Sequence, residues 1–204
     1  MNLPLLIGTG NSKKWEELEA LLKDLPFQIL SLRNFPYVQE ILEDGKTFEE
    51  NAVKKAVGIA RQTGILTLAE DSGLVVEALE GNPGVYSARF AGPPKDDLKN
   101  CQKVLGLMRN LTDNCRGASF KAVVAIATPD RVIGLGEGEV RGAIALEMKG
   151  TAGFGYDPIF IYGPYGKTFG EVSAEMKHRV SHRAQAVQKA KKILLDYAQT
   201  FSSS

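Results

Sequence analysis

The chain is poor in residues that usually carry redox or metal chemistry, with two cysteines, two histidines and one tryptophan among 204 residues. Cys101 and Cys115 stand at a spacing that suits neither a zinc ligand set nor a disulfide framework. Both are expected to be lone thiols in a reducing, cytoplasmic setting. Excess charge is also lacking. The formal net charge of +1 argues against attraction of the whole molecule to nucleic acid or to an acidic membrane, so any anion site must be local. No hydrophobic run approaches a membrane span, and the apolar stretch from Leu3 to Ile7 has no basic residue before it, unlike a signal peptide. No internal repeat is present, and the one low-complexity stretch, Ser202 to Ser204, is expected to fray.

What is present is the composition of an ordinary globular protein, 44% hydrophobic and 24% charged, long enough for one domain or two closely packed lobes. Leu3 to Gly8 reads as a strand and Phe27 to Leu32 as a second. Helices are predicted from Lys13, over 48–62, over 96–111 with Leu98, Val104, Leu105 and Met108 buried, and from His182 to Phe201. The last of these has Ala186, Ala190, Ile193, Leu194 and Tyr197 as its inner stripe. Ala118 to Thr128 is apolar apart from Lys121, as a central strand should be, and Arg131 to Gly142 can pair with it across Pro129-Asp130. The fold class is therefore α/β, with a mixed sheet because at least one hairpin interrupts the parallel arrangement.

The stretch from Leu66 to Gly92 organises the rest. Leu66, Leu68 and Ala69 predict a short buried strand that runs into Glu70, Asp71, Ser72 and Gly73, where burial is expected to stop. Adjacent carboxylates followed by a hydroxyl and a glycine form a compact hard-oxygen site of the kind that holds magnesium together with water and substrate phosphates. The same string also suits an acidic turn whose Asp71 caps the next segment. A second carboxylate is available from the loop carrying Glu40, Glu43 and Asp44 before Gly45. That loop leads into the 48–62 helix, opened by Thr47 and Glu50 at capping-box spacing. The helix carries Asn51 and Lys55 four residues apart, adjacent in space, although such polar pairs most often face solvent.

Three further stretches suit an anionic or aromatic ligand. Thr9, Gly10, Asn11 and Ser12 form a polar turn at a helix N-terminus, beside Lys13 and Lys14, where amides and the helix dipole favour an anion. The spacing is not that of a Walker A loop, and an ordinary cap followed by surface lysines reads equally well. Between Gly150 and Phe160, glycines at 150, 153 and 155 permit close approach of a ligand, and Phe154 and Tyr156 offer flat faces to a base or fill the core. Ser181, His182 and Arg183 place a hydroxyl and two strong donors at the last helix's start, with Lys177 upstream.

In order, the segments TGNSKK, EDGKTFEENAVKKA, AEDSGL, PGVYSARFAG, GFGYDPIF and SHRAQA make the chain resemble the inosine/xanthosine triphosphate pyrophosphatases. These enzymes hydrolyse non-standard purine nucleoside triphosphates such as ITP, dITP and XTP to the monophosphate and pyrophosphate. The resemblance runs from Ile7 to about Ala186. It implies an elongated mixed sheet flanked by helices, in a single two-lobed domain with a central substrate cleft. It also implies a magnesium (Mg2+) cofactor and a homodimer acting on a small nucleotide, with no nucleic acid or membrane partner. By position, Thr9, Gly10, Asn11, Ser12, Lys13 and Lys14 would bind the triphosphate, Asp71 would be the metal-binding catalytic acid/base, and Ser72 would touch substrate. Phe154, Gly155, Tyr156, Asp157, Lys177, His182 and Arg183 would hold the nucleoside.

The second metal carboxylate transfers least cleanly, because Leu42 and Glu43 stand where the family often has paired glutamates. Glu43 is the expected ligand and Glu40 the alternative. Glu70 replaces the aspartate of many relatives and keeps the charge. As donors, His182 and Arg183 would suit a 6-keto purine and would face another donor in adenine. A related pyrophosphatase of different base preference would not be expected to carry the GFGYDP and SHR elements. A non-hydrolytic nucleotide- or RNA-binding module would need no paired carboxylates. Val85, Tyr86 and Phe90 can cover a two-fold contact or belong to the core.

Overall fold

The computed structural model describes residues 3–202, so the last two residues of the serine tail lie outside the described residues. In chain order the elements are β1 (Leu3–Ile7), α1 (Ser12–Leu22), β2 (Phe27–Ser31), α2 (Phe48–Thr63), β3 (Thr67–Val76), α3 (Asp97–Leu107), β4 (Gly117–Ala127), β5 (Val132–Ile144), β6 (Phe160–Tyr162), β7 (Lys167–Thr168), α4 (Ala174–His178) and α5 (His182–Ser202). The strands form one sheet in the order β2-β1-β3-β4-β5-β6-β7. β1 runs parallel to β2 and β3, whereas β6 is antiparallel to β5 and β7, so the sheet is mixed as expected. Parallel neighbours need crossovers, and α1 and α2 provide them. β4 and β5 need only a tight turn, closed by the Thr128 amide on the Arg131 carbonyl.

Local chemistry explains the helix limits. Asn11 caps α1 by accepting from the amides of Lys13 and Lys14, and Thr47 caps α2 by accepting from that of Glu50. α2 ends at Gly64 in the left-handed region, and Asp96 caps α3 through the Lys99 amide. The predicted inner stripe of α5 is observed, with Ala186, Ala190 and Leu194 buried and Ile193 and Tyr197 packed against them. α3 differs from expectation in two respects, ending at Leu107 rather than Leu111 and turning a different face inward. Leu98 is 54% exposed and Cys101 is fully buried, because the helix turns Cys101, Val104 and Met108 inward.

The chain divides into two compact units, one holding residues up to Asp71, Ala122–Gly138 and the chain from Arg183 onward, the other holding Ser72–Lys121 and Glu139–His182. In the first unit, Leu5, Ile7, Leu68, Val124 and Ile126 from the strands pack with Leu18 and Leu22 of α1 and Ala190 and Leu194 of α5. A smaller cluster sets Ala52 and Ala56 of α2 against Ala69, Val123 and Ala125. The second unit has its own core, in which Leu74, Val104, Met108, Phe120, Tyr156, Phe160 and Phe169 meet. Each large apolar side chain so buried stabilises by about 1.5–3 kcal/mol.

The main departure from expectation lies in β3. The strand does not stop at Glu70 but continues to Val76, and Glu70 and Asp71 sit in its middle, 0% and 6% exposed. A mid-strand carboxylate is tolerated only when paired, and the partners are described below.

Candidate active site

Asp71 is the centre of the first unit's group. Its Oδ2 accepts from Asn51 Nδ2 at 2.9 Å. Burial raises its pKa and is the largest influence; Lys14, the Asn51 bond and Lys55 pull it down, and the charge of Glu43 pushes it up. Lys55 Nζ lies 3.0 Å from Glu43 Oε1 and donates to the Glu70 carbonyl at 3.0 Å. The helical pair Asn51 and Lys55, unremarkable by itself in sequence, thus spans the acidic loop and β3, and Asn51 is 1% exposed rather than solvent-facing.

Beside this group lies a buried network of charge. Arg183, 1% exposed, donates from Nε to Glu70 Oε2 at 2.6 Å and from Nη2 to Glu70 Oε1 at 2.8 Å, and its Nη1 pairs with Glu17. Burial works against the guanidinium charge, but Glu70 and Glu17 more than offset it, so the pKa of Arg183 is raised. Lys14 Nζ lies 3.9 Å from Glu70 Oε1. Burial lowers the pKa of Lys14, and Glu70 opposes that shift. Arg183 thus enters the site as the cation that admits Glu70 to the strand, and any reading of a base would have to share it with Glu70 and Glu17.

The turn before α1 is arranged more tightly than an open anion site. The Asn11 amide donates to Thr9 Oγ1 at 3.2 Å, and the amides of Lys13 and Lys14 donate to Asn11 Oδ1 at 3.0 and 3.1 Å. A phosphate reaching those amides would displace the cap. Lys14, by contrast, points its ammonium into the Glu70 and Asp71 group.

In the second unit the residues gather around Asp157. Its Oδ2 accepts from the Phe154 amide at 2.8 Å and from Lys177 Nζ at 2.7 Å, in a pair with both partners almost fully buried. Lys177 Nζ also lies 4.9 Å from the centre of the Phe154 ring. Gly153, at φ 73°, could carry no side chain, since a Cβ would fall 2.0 Å from Asp157 Oδ2. The Gly155 amide donates to Asp97 Oδ2 at 2.8 Å, and Cys101 Sγ reaches the Gly155 carbonyl at 3.3 Å. Tyr156 is a core side chain rather than an open stacking face, 4% exposed, with its hydroxyl donating to the Ser87 carbonyl at 2.8 Å. Phe154 remains the half-buried aromatic of this loop. His182 is buried, its ring stacked on Phe120 at 4.9 Å and 15°. Ser72 lies mid-strand in β3, next to Asp71 in the chain.

Among the described residues no three His, Cys, Asp or Glu side chains gather into a metal cage. The pair Asp71 and Glu43 fits a looser mode, in which magnesium takes one or two carboxylates and completes its shell with water and phosphate. Their charges act on one another, so a divalent cation would relieve the repulsion. Glu40 is exposed, and the coupling to Asp71 runs through Glu43. The residues that sequence reasoning passed over are Glu17, Asp97, Phe120 and Ser87. Only Glu17 carried a signal, being a carboxylate one helical turn beyond Lys14.

Comparisons with known proteins extend over nearly the whole chain. The dITP/XTP pyrophosphatase of Desulforamulus reducens is 48% identical over 192 residues, covering 94% of this chain and 96% of that protein. The dITP/XTP pyrophosphatase of Bacillus subtilis is 41% identical, covering 93% and 96%. Among solved structures, a HAM1 protein from Coxiella burnetii superposes with a TM-score of 0.87 at 38% identity, covering 95% of this chain and 99% of that one. The Ham1 protein of Staphylococcus aureus gives 0.85 at 35% identity, with the same coverage. The Ham1 family profile matches residues 5–193, and with these likenesses over nearly the whole length, the chain belongs to the Ham1 family.

Proposed function

We propose that the chain hydrolyses dITP, ITP and XTP to the monophosphate and pyrophosphate with magnesium as cofactor, removing them from the nucleotide pool. The observation that carries this reading is the group around Asp71: a buried carboxylate of raised pKa, bonded to Asn51, flanked by Lys14 and Lys55 and coupled to Glu43. A buried carboxylate of raised pKa is a better base for water than an ordinary one, and Asp71 would orient and deprotonate the attacking water. Lys14 and Lys55 bind phosphate oxygens and stabilise the charge that develops as pyrophosphate leaves. Magnesium held by Asp71 and Glu43 would neutralise phosphate charge.

In the second unit, Phe154 offers a face for stacking on a base beside the Lys177 ammonium. A 6-keto oxygen suits donors at His182 and Arg183, whereas the adenine amino group would leave them facing another donor, at about 1–3 kcal/mol per group. Because Arg183 is already engaged by Glu70 and Glu17, His182 carries more of this selection. Catalytic efficiencies for dITP, XTP and dATP test the reading: the first two should exceed dATP by roughly tenfold to a hundredfold. Equal efficiencies would remove the base assignment.

The chain is further proposed to be a cytoplasmic homodimer that binds neither nucleic acid nor membrane. Among the described residues no helix is long and apolar enough to cross a membrane. Tyr86 is 55% exposed with the Arg89 guanidinium 5.4 Å from its ring, while Phe90 packs on the second core, so Tyr86 leads any two-fold contact through this segment. Sedimentation should give about twice the 22.1 kDa chain mass.

A further inference from the structure

We propose that Asn51 is a positioning residue for the metal-binding pair, setting the separation between Asp71 and the loop that carries Glu43; this rests on the reading of the chain as a magnesium-dependent pyrophosphatase. The Asn51 amide is used at both ends. Its Oδ1 accepts from the Gly45 amide at 2.7 Å and its Nδ2 donates to Asp71 Oδ2 at 2.9 Å. The orientation is unambiguous, because the reversed amide would set oxygen against carboxylate and N–H against N–H. Asparagine does both tasks without charge, whereas an aspartate would accept from Gly45 but place a second negative charge against Asp71.

The loop is pressed onto this amide. A Cβ on Gly45 would lie 2.6 Å from Asn51 Oδ1 and 2.8 Å from Glu50 Cβ, so the approach requires glycine there. One turn along α2, Lys55 repeats the connection, joining Glu43 Oε1 to the Glu70 carbonyl at 3.0 Å each. α2 thus holds the acidic loop and β3 at two neighbouring points, and Glu43 lies two residues before the first of them. The second unit provides a contrast. Asn100, 2% exposed, uses its amide in the same double manner, accepting from the Ala91 amide at 2.7 Å and donating to the Ala88 carbonyl at 3.3 Å, with no carboxylate at either end. It ties one segment of chain and nothing more.

The test uses Mn2+ as the probe, titrated without nucleotide and followed by electron paramagnetic resonance, on the wild type, Asn51→Leu, Gly45→Ala and Asn100→Leu. Asn51→Leu and Gly45→Ala should each weaken Mn2+ binding by about tenfold to a hundredfold, the range for residues that orient metal ligands, and lower kcat for dITP more than they change KM. Asn100→Leu should lower the melting temperature and leave Mn2+ affinity at the wild-type value. Wild-type affinity in both Asn51→Leu and Gly45→Ala, or an equal loss in Asn100→Leu, overturns the positioning role. Should Asn51→Leu fail to fold, Gly45→Ala decides alone, since it keeps the amide and displaces it. A wild type that releases pyrophosphate while both variants keep their affinity sinks only this inference; a wild type that neither binds Mn2+ nor releases pyrophosphate sinks the functional reading, and this inference with it.

Discussion

The group around Asp71 and the loop around Phe154 are held in opposite ways. In the first, charged or polar side chains from five segments hold one another: Lys14 and Glu17 from α1, Glu43 from the loop, Asn51 and Lys55 from α2, Glu70 and Asp71 from β3, and Arg183 from α5. In the second, one carboxylate, Asp157, gathers the Phe154 amide and Lys177, while Asp97, Cys101 and Ser87 fix neighbouring backbone or the Tyr156 hydroxyl. A web of opposed charges suits a place where charge must move during reaction, and it is sensitive to the loss of a cation shared by two carboxylates. A loop whose backbone is tied down by neighbouring side chains suits recognition by shape, and its variants should affect binding before rate.

The largest effect should come from breaking the charge web. Arg183→Ala would leave Glu70 and Glu17 without their shared cation and should cost about 3–5 kcal/mol of unfolding free energy in urea titrations. A loss under about 1 kcal/mol would place Arg183 with ordinary surface pairs and remove the distinction between the two regions. Next in size, Asp71→Asn should lower kcat by about a hundredfold or more with little change in KM, as expected when a base acting in the transition state is removed. A wild-type kcat at saturating magnesium would show that Asp71 is not that base. Smaller again, Phe154→Ala should raise KM by about tenfold and leave kcat near the wild-type value, since stacking contributes about 1–3 kcal/mol per base. A pure kcat effect there would mean that the second region takes part in the reaction itself.

The smallest effect is one of pH. Asp71 titrates above its ordinary value of 3.8 because it is buried, so the metal-free folded chain binds that proton more tightly than the unfolded chain. This group's contribution to stability therefore falls as pH rises from the ordinary carboxylate range through the raised pKa, and stays lower at neutrality. In chelator at neutral pH, Asp71→Asn should melt at or slightly above the wild type, with the gap closing as pH falls towards 3.8. Calorimetry across that range checks it. A variant that melts lower at neutral pH would mean that attraction to Lys14 and Lys55 outweighs burial.

Much of this arrangement was legible in sequence wherever the signal is local. The cap before α1, the start of α2, the inner stripe of α5 and the β4–β5 hairpin all follow from spacing and turn chemistry. The ordered motifs singled out Asp71, Lys14 and Phe154. What local pattern could not show was how β3 keeps two buried carboxylates, because the partners are far away in the chain: Asn51 lies 20 residues from Asp71, and Arg183 lies 113 from Glu70 and 166 from Glu17. Without those partners a Glu-Asp pair reads as a strand terminus after Ala69, whereas the strand runs on to Val76. Likewise β6 and β7, of three and two residues, are too short to carry a period. Tyr156 looked like Phe154 in sequence, and only the Ser87 carbonyl within reach of its hydroxyl separates the core ring from the half-buried one.

The most direct test of the whole account is the identity of the phosphorus products formed from dITP, followed by phosphorus magnetic resonance with magnesium present and again after chelation. Deoxyinosine monophosphate and intact pyrophosphate should form in equal amounts, and only with magnesium. Release of single phosphate with accumulation of the diphosphate, or a rate indifferent to chelation, would contradict it.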